Sequence, residues 1–171
     1  MFPAKIMLAA ALLAFQVAGT PVTVPPTEEL VVISSEITPV GTLTYYGRVA
    51  GAANVTSDVA SVCSSGNLAC TPFGANAPDA NTCATLIETL QDNPGQAVVP
   101  QPPLAICLLA GSRCCVSWRD PIPGLTRGHL VPSAKDILNS CVTRGFSGSI
   151  SDTNLNGFCT TECLSNIADG C

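Results

Sequence analysis

Arg113-Cys114-Cys115-Val116-Ser117-Trp118 is the stretch on which the reading of this chain turns. It holds two adjacent cysteines, the only tryptophan and the start of a short alternating apolar run. Successive side chains of a strand point to opposite faces. Cys114 and Cys115 are therefore expected to reach in opposite directions, one tying the strand to a helix and the other to a loop on the far face. The strand is expected at the centre of a disulfide-stapled fold.

The other cysteines support that reading. Cys63, Cys70, Cys83, Cys107, Cys114, Cys115, Cys141, Cys159, Cys163 and Cys171 all lie downstream of an N-terminus that reads as an export signal. There, Lys5 is followed by an apolar run from Ile6 to Val17 broken only by Gln16, and then by Ala18-Gly19. The run is about a dozen residues, too short for a bilayer span of about 20. Residues 1–19 are thus expected to be a signal peptide, and the mature chain to be secreted and extracellular. An even number of cysteines in an exported chain implies a disulfide framework, here of five bridges. A zinc site would need two close pairs such as C-x-x-C, and Cys159-x-x-x-Cys163 has no matching second pair. Sequence does not choose among the pairings. Cys83 and Cys141 are expected to pair with the central strand or its neighbour.

The chain carries 7 basic against 12 acidic residues, and loss of Lys5 with the signal takes the net charge from −5 to −6. No basic patch is interleaved with aromatics, so nucleic acid is excluded as a partner.

Residues 20–40 contain no cysteine and read as a flexible leader or propeptide, or as one loosely docked strand from Leu30 to Ile33. Residues 41–171 are expected to form one cysteine-rich domain. Thr42 to Val49 has the composition of a strand, and Asn54-Val55-Thr56 is an N-glycosylation sequon in an expected exposed loop. From Ser57 to Pro78 small residues predominate, and an irregular loop pinned by Cys63 and Cys70 is expected. In Asp79–Asn93, Cys83, Leu86, Ile87 and Leu90 form one helical stripe, with Asp79 or Asn81 as the cap and Pro94-Gly95 as the stop. Leu104–Leu109 and Cys114–Trp118 read as strands. A second helix is expected from His129 or Leu130 to Val142, with Pro132 tolerated in its first turn. Ser147–Ser151 reads as a short strand and Asp152–Cys171 as a loop-rich closure. The fold class is then α+β: a small disulfide-stapled sandwich, an antiparallel sheet with two helices on one face.

The cysteine-rich half carries a resemblance. Ile106-Cys107, Arg113-Cys114-Cys115-Val116-Ser117-Trp118, His129-Leu130, Ile137-Leu138-Asn139-Ser140-Cys141, Phe146-Ser147-Gly148, Leu155-Asn156-Gly157-Phe158-Cys159-Thr160-Thr161-Glu162-Cys163-Leu164-Ser165-Asn166 and Gly170-Cys171 resemble the small secreted fungal proteins of the "WD-like domain" family. The likeness runs from about Cys63 to Cys171 and implies a secreted cysteine-rich fungal protein, without implying a reaction. The chain is too short for a propeller and has no internal repeat of about 40 residues. In layout it is also similar to fungal necrosis-inducing effectors and killer-toxin-like α/β sandwiches.

Chemistry-bearing residues are sparse. His129 is the only histidine, and a catalytic Cys-His pair would need a free thiol. Gly145-Phe146-Ser147-Gly148-Ser149 has Ser149 where G-x-S-x-G needs its last glycine. Asp120, Asp136 and Asp152 are candidates for a triad acid. Glu88, Asp92, Asp120 and Asp136 are too scattered for a glycosidase carboxylate pair. Asp152-Thr153-Asn154-Leu155-Asn156-Gly157 opens like a calcium loop, but its twelfth position is Cys163, and Glu162 falls one residue out of register; an Asx-rich turn is the better reading. No catalytic, metal or cofactor site is expected. The expectation is a secreted non-enzymatic fungal protein, effector- or toxin-like, acting on a host, competitor or cell-wall component. A wall- or carbohydrate-binding module is the alternative, and a hydrolase the minor one.

Overall fold

The computed structural model describes residues 30–48, 62–64, 66–71, 76–98 and 103–171. The expected signal peptide, residues 20–29 of the leader and the Asn54 sequon lie outside them. Seven strands are described: β1 (Val31–Thr38), β2 (Gly41–Gly47), β3 (Asn67–Thr71), β4 (Pro103–Ala110), β5 (Ser112–Trp118), β6 (Ser147–Leu155) and β7 (Phe158–Ser165). Two helices, α1 (Ala80–Asp92) and α2 (Arg127–Ser140), interrupt them. The strands form one antiparallel sheet in the order β1-β2-β4-β5-β7-β6-β3, with β5 at its centre. The α+β fold with disulfides holds. No helix among the described residues is long and apolar enough to cross a membrane.

Register explains why both helices lie on one face. Directly opposed residues of antiparallel neighbours share a face, so Ser34, Tyr45, Ile106, Val116, Leu164, Gly148 and Cys70 form one row across all seven strands. Leu43, Leu108 and Cys114 form a parallel row, and Trp118, Glu162, Ile150 and Leu68 another. This face meets the helical stripes. Cys83, Leu86, Ile87 and Leu90 of α1 and Leu130, Ala134 and Ile137 of α2 are buried with it in one core. Asp79 caps α1, its Oδ2 accepting from the Thr82 N–H at 2.8 Å.

Five bridges staple this arrangement. Cys83–Cys114 fixes α1 to the core face of the central strand. Cys115 does point the other way, but to Cys107 rather than to a loop. The two are register partners on β5 and β4 with Cα atoms 4.0 Å apart, so the bond spans adjacent strands. Cys141 bonds to Cys70 on the edge strand β3, not to the central strand or its neighbour. Its seat is Gly148, where a Cβ would lie 2.8 Å from both Cys141 Sγ and Ile137 Cγ2. Cys63–Cys159 and Cys163–Cys171 complete the set. The last draws the C-terminal residues onto the far face, where Gly170 lies against the small side chains of Ser117 and Ser165.

Several elements differ from the sequence reading. Within the stretch read as leader or docked strand, Val31–Thr38 pairs with β2 along its length. The loop expected around Cys63 and Cys70 contains β3, five residues paired with β6. The loop-rich closure is instead the long β6–β7 hairpin. Its turn, Asn156-Gly157, has φ of 52° and 86°, the doubly left-handed geometry that favours Asn-Gly. Helix α2 starts at Arg127, earlier than expected, so Pro132 lies past the first turn. The early start follows from a capping box in which His129 stands where Glu or Gln is usual.

One ion pair crosses from the sheet edge to α2. Arg127, 1% exposed, donates Nη2 to Glu36 Oε2 at 2.6 Å and to the Tyr45 hydroxyl, which donates to the same Glu36 oxygen at 3.2 Å. Burial pushes the Tyr45 phenol up, and the Arg127 guanidinium opposes that shift.

Two outcomes follow for guanidinium unfolding under non-reducing conditions. Loop-closure entropy grows with loop length, so replacing both members of Cys70–Cys141 (separation 71) by Ser is expected to cost about 4 kcal/mol, against about 2.5 kcal/mol for Cys107–Cys115 (separation 8). Glu36→Gln strands a buried cation and is expected to cost about 3 kcal/mol. Arg127→Met leaves a half-exposed carboxylate that water can solvate, and should cost less.

Candidate functional site

A cavity of about 820 Å³ opens between α2 and the β3–β6 end of the sheet. Each wall has a local cause. Ser133, Asp136 and Ser140 recur at helical spacing along α2. On β6, the pairing register with β7 breaks between Ile150 and Thr153. Asp152 sits in that break with φ 59°, a left-handed conformation that Asp tolerates better than most residues. Such bulges re-aim a strand. Beyond this one, Thr153 meets α2, its hydroxyl 2.7 Å from that of Ser133, and Asn154 joins the lining. The third wall is residues 62–64, held by Cys63–Cys159 and by the Ser64 N–H, which donates to Asp152 Oδ2 at 2.7 Å. Hydrogen bonds from Ser64, its hydroxyl and then its N–H, hold the Asp152 carboxyl below its ordinary value.

The lining is therefore hydroxyl, amide and carboxylate over an apolar floor of Ile150 and Leu68, with no aromatic and no basic side chain among the described residues. It can accept hydrogen bonds from a polyhydroxy or amine-bearing molecule. The Asp152 carboxylate lies within 4.8 Å of both sulfurs of Cys63–Cys159. Sulfurs joined to each other offer no thiolate, so this trio is not a metal-ligand set.

The residues singled out in the sequence mostly have structural partners. His129 Nδ1 accepts from the Thr126 N–H at 3.1 Å, at the start of α2. Asp120 Oδ2 accepts from the Thr160 hydroxyl at 3.0 Å. Glu88 and Asp92 are exposed on α1, away from the groove. Of the candidate acids, only Asp136 and Asp152 line one cavity. The residues of the supposed calcium loop bond elsewhere: Asn154 Oδ1 accepts from the Gly157 N–H at 2.8 Å, and Asn156 Nδ2 donates to the Pro123 carbonyl at 2.8 Å. Cys159 and Cys163, the one pair at metal spacing, belong to different disulfides. Trp118 is 2% exposed and packs in the core. Sequence reasoning missed Ser133, Ser140 and Thr153 of the groove, because single hydroxyls on amphipathic elements carry no signal until the bulge brings them together. It also gave no hint that Glu162 is fully buried.

A family model described as Fungal WD-like matches residues 51–171. No curated protein and no solved structure matches the chain.

Asp152→Asn keeps a side chain suited to the left-handed backbone but removes the charge that Ser64 solvates. Because the folded-state value is depressed, the stabilisation is present above the unfolded carboxyl's pKa of about 3.9 and is lost as pH falls through the folded value. The stability gap between wild type and Asp152→Asn, measured by urea unfolding, should be open at pH 7 and close on acidification below about pH 4.

Proposed function

We propose a function for a chain that belongs to the fungal WD-like family: it is a secreted, non-enzymatic, cysteine-rich protein of a fungus that works as an effector or toxin-like factor outside the cell. The observation that carries this reading is the set of five disulfides, which ties both helices, the edge strand β3 and the C-terminal residues to one sheet. Disulfides persist in oxidising extracellular compartments, and they limit the local opening on which proteolysis depends. The export pattern of residues 1–19 supports the same compartment. His129 in a helix cap and Asp120 on Thr160 favour a binding role over a catalytic one.

A second reading, a module that binds wall carbohydrate, is favoured by the groove beside α2. Its hydroxyl and carboxylate lining matches the hydrogen-bonding surface of a polysaccharide.

The test exposes leaf tissue and competing microbial cells to the purified mature protein, with a reduced and alkylated sample as control. Cell death or growth arrest caused only by the oxidised protein is expected. Equal activity in the alkylated sample would refute the fold-dependent effector reading. For the second reading, co-sedimentation with chitin or glucan should be lost in Ser133→Tyr, which fills the groove from α2. Sedimentation unchanged by that variant would remove the groove from the account.

A further inference from the structure

One group in the core is built unlike the rest. Glu162 on β7 is fully buried, and neither of its carboxyl oxygens has a hydrogen-bond partner among the described residues. Register places it on the helix-covered face, directly opposite Trp118 on β5 and Ile150 on β6. The Trp118 Nε1–H is buried and unpartnered as well. An ionised carboxylate in such a place is very costly without a partner.

Among the described residues, no charged side chain is bonded to it. On β5, Arg113 donates to the Asn166 carbonyl. Arg119, just beyond β5, is exposed. On β6, Asp152 faces Ser64. On α2, Arg127 is engaged by Glu36 and Tyr45, His129 by Thr126 and Lys135 by Gln91, while Asp136 is exposed and lines the groove. Asp120, on the loop before α2, bonds Thr160. Glu162 therefore faces apolar and aromatic surface, and burial alone pushes its carboxyl well above the ordinary value.

We propose that Glu162 is a proton-operated switch in the core: protonated, it closes the packing between Trp118, Ile150 and the helices, and on ionisation it loosens that packing. The direction follows from linkage. A folded-state value raised above the unfolded one gives full stability below the unfolded pKa, about 4.3 for Glu, and progressive loss as pH rises from there through the folded value. In that window the native state holds one proton more than the unfolded state, so the folded-to-unfolded ratio falls about tenfold per pH unit from this group. This group's contribution to stability is therefore greatest in an acidic medium. The disulfides from Cys83 and Cys141 keep both helices tethered to the sheet while the core relaxes.

The chain supplies its own reporter, because its only tryptophan is Glu162's cross-strand neighbour. Trp118 emission and urea unfolding are followed from pH 4 to pH 9 for the oxidised protein and for Glu162→Gln, which keeps the shape and cannot ionise. The wild type is expected to show an emission change with a midpoint well above the ordinary carboxylate range and a tenfold-per-unit loss of folding ratio relative to Glu162→Gln. Superimposable pH profiles in the two proteins would overturn the proposal. Should Glu162→Gln fail to fold, the carboxyl carbon of Glu162 is titrated by NMR in the wild type. A midpoint near that of an exposed glutamate overturns the proposal, and a strongly raised one supports it.

Discussion

The alternation of side chains along β5 is the constraint from which the architecture follows. Because neighbouring residues must face opposite sides, the adjacent pair Cys114-Cys115 commits one sulfur to each face of the central strand. Cys114 holds α1 against the core, and Cys115 locks β4 to β5 at a single register position. A slip of one residue would turn every side chain of the strand over. Cys107–Cys115 blocks that slip covalently, so the apolar row through Ile106, Val116 and Leu164 is held where the helical stripes can cover it.

The second helix depends on a smaller device. Gly148 removes a side chain from that same row at the point where α2 ends, and Cys141 and Ile137 occupy the space. Cys141 then reaches Cys70 on β3, so the edge strand, the helix end and β6 are fixed together. The bulge at Asp152 lies on the same strand, four residues further on. There β6 turns Thr153 towards Ser133 and leaves the groove beside it. The groove is thus a consequence of how α2 is seated and not a separate feature of the surface.

What was legible in the sequence tracks how local its physical cause is. The α1 stripe repeats every turn, so it could be read from thirteen consecutive residues, with the cap narrowed to Asp79 or Asn81 just before and inside them. The strand character of β4 and β5 was equally local. The β6–β7 hairpin was missed although Asn156-Gly157 is a strong turn signal. Its flanks carry Thr, Asn, Asp and Cys in place of a clean alternation, because β6 changes register at Asp152 and β7 buries Thr160 and Glu162. Alternation along β5 fixes only the face to which each sulfur points, so a loop partner for one of the two was as readable from it as a neighbouring strand. The partner is fixed by the β4–β5 register, which rests on both strands together. The early start of α2 was hidden for a similar reason, since His129 is not the residue usually found at that place in a capping box.

Glu162 shows how the framework and the core are coupled. Its neighbours in sequence, Thr161 and Cys163, belong to the far face, where Cys163 is bonded to Cys171. Alternation therefore delivers Glu162 to the core whatever its charge, opposite the buried indole of Trp118. An acid at this position is tolerable only if the margin of stability is large or the acid stays neutral. Bridges of separation 96, 71 and 31 supply part of that margin by restricting the unfolded chain, and the apolar surroundings keep the carboxyl protonated well above its ordinary range. The same disulfides that harden the fold against unfolding thus allow its core to hold a group whose charge state answers to the medium.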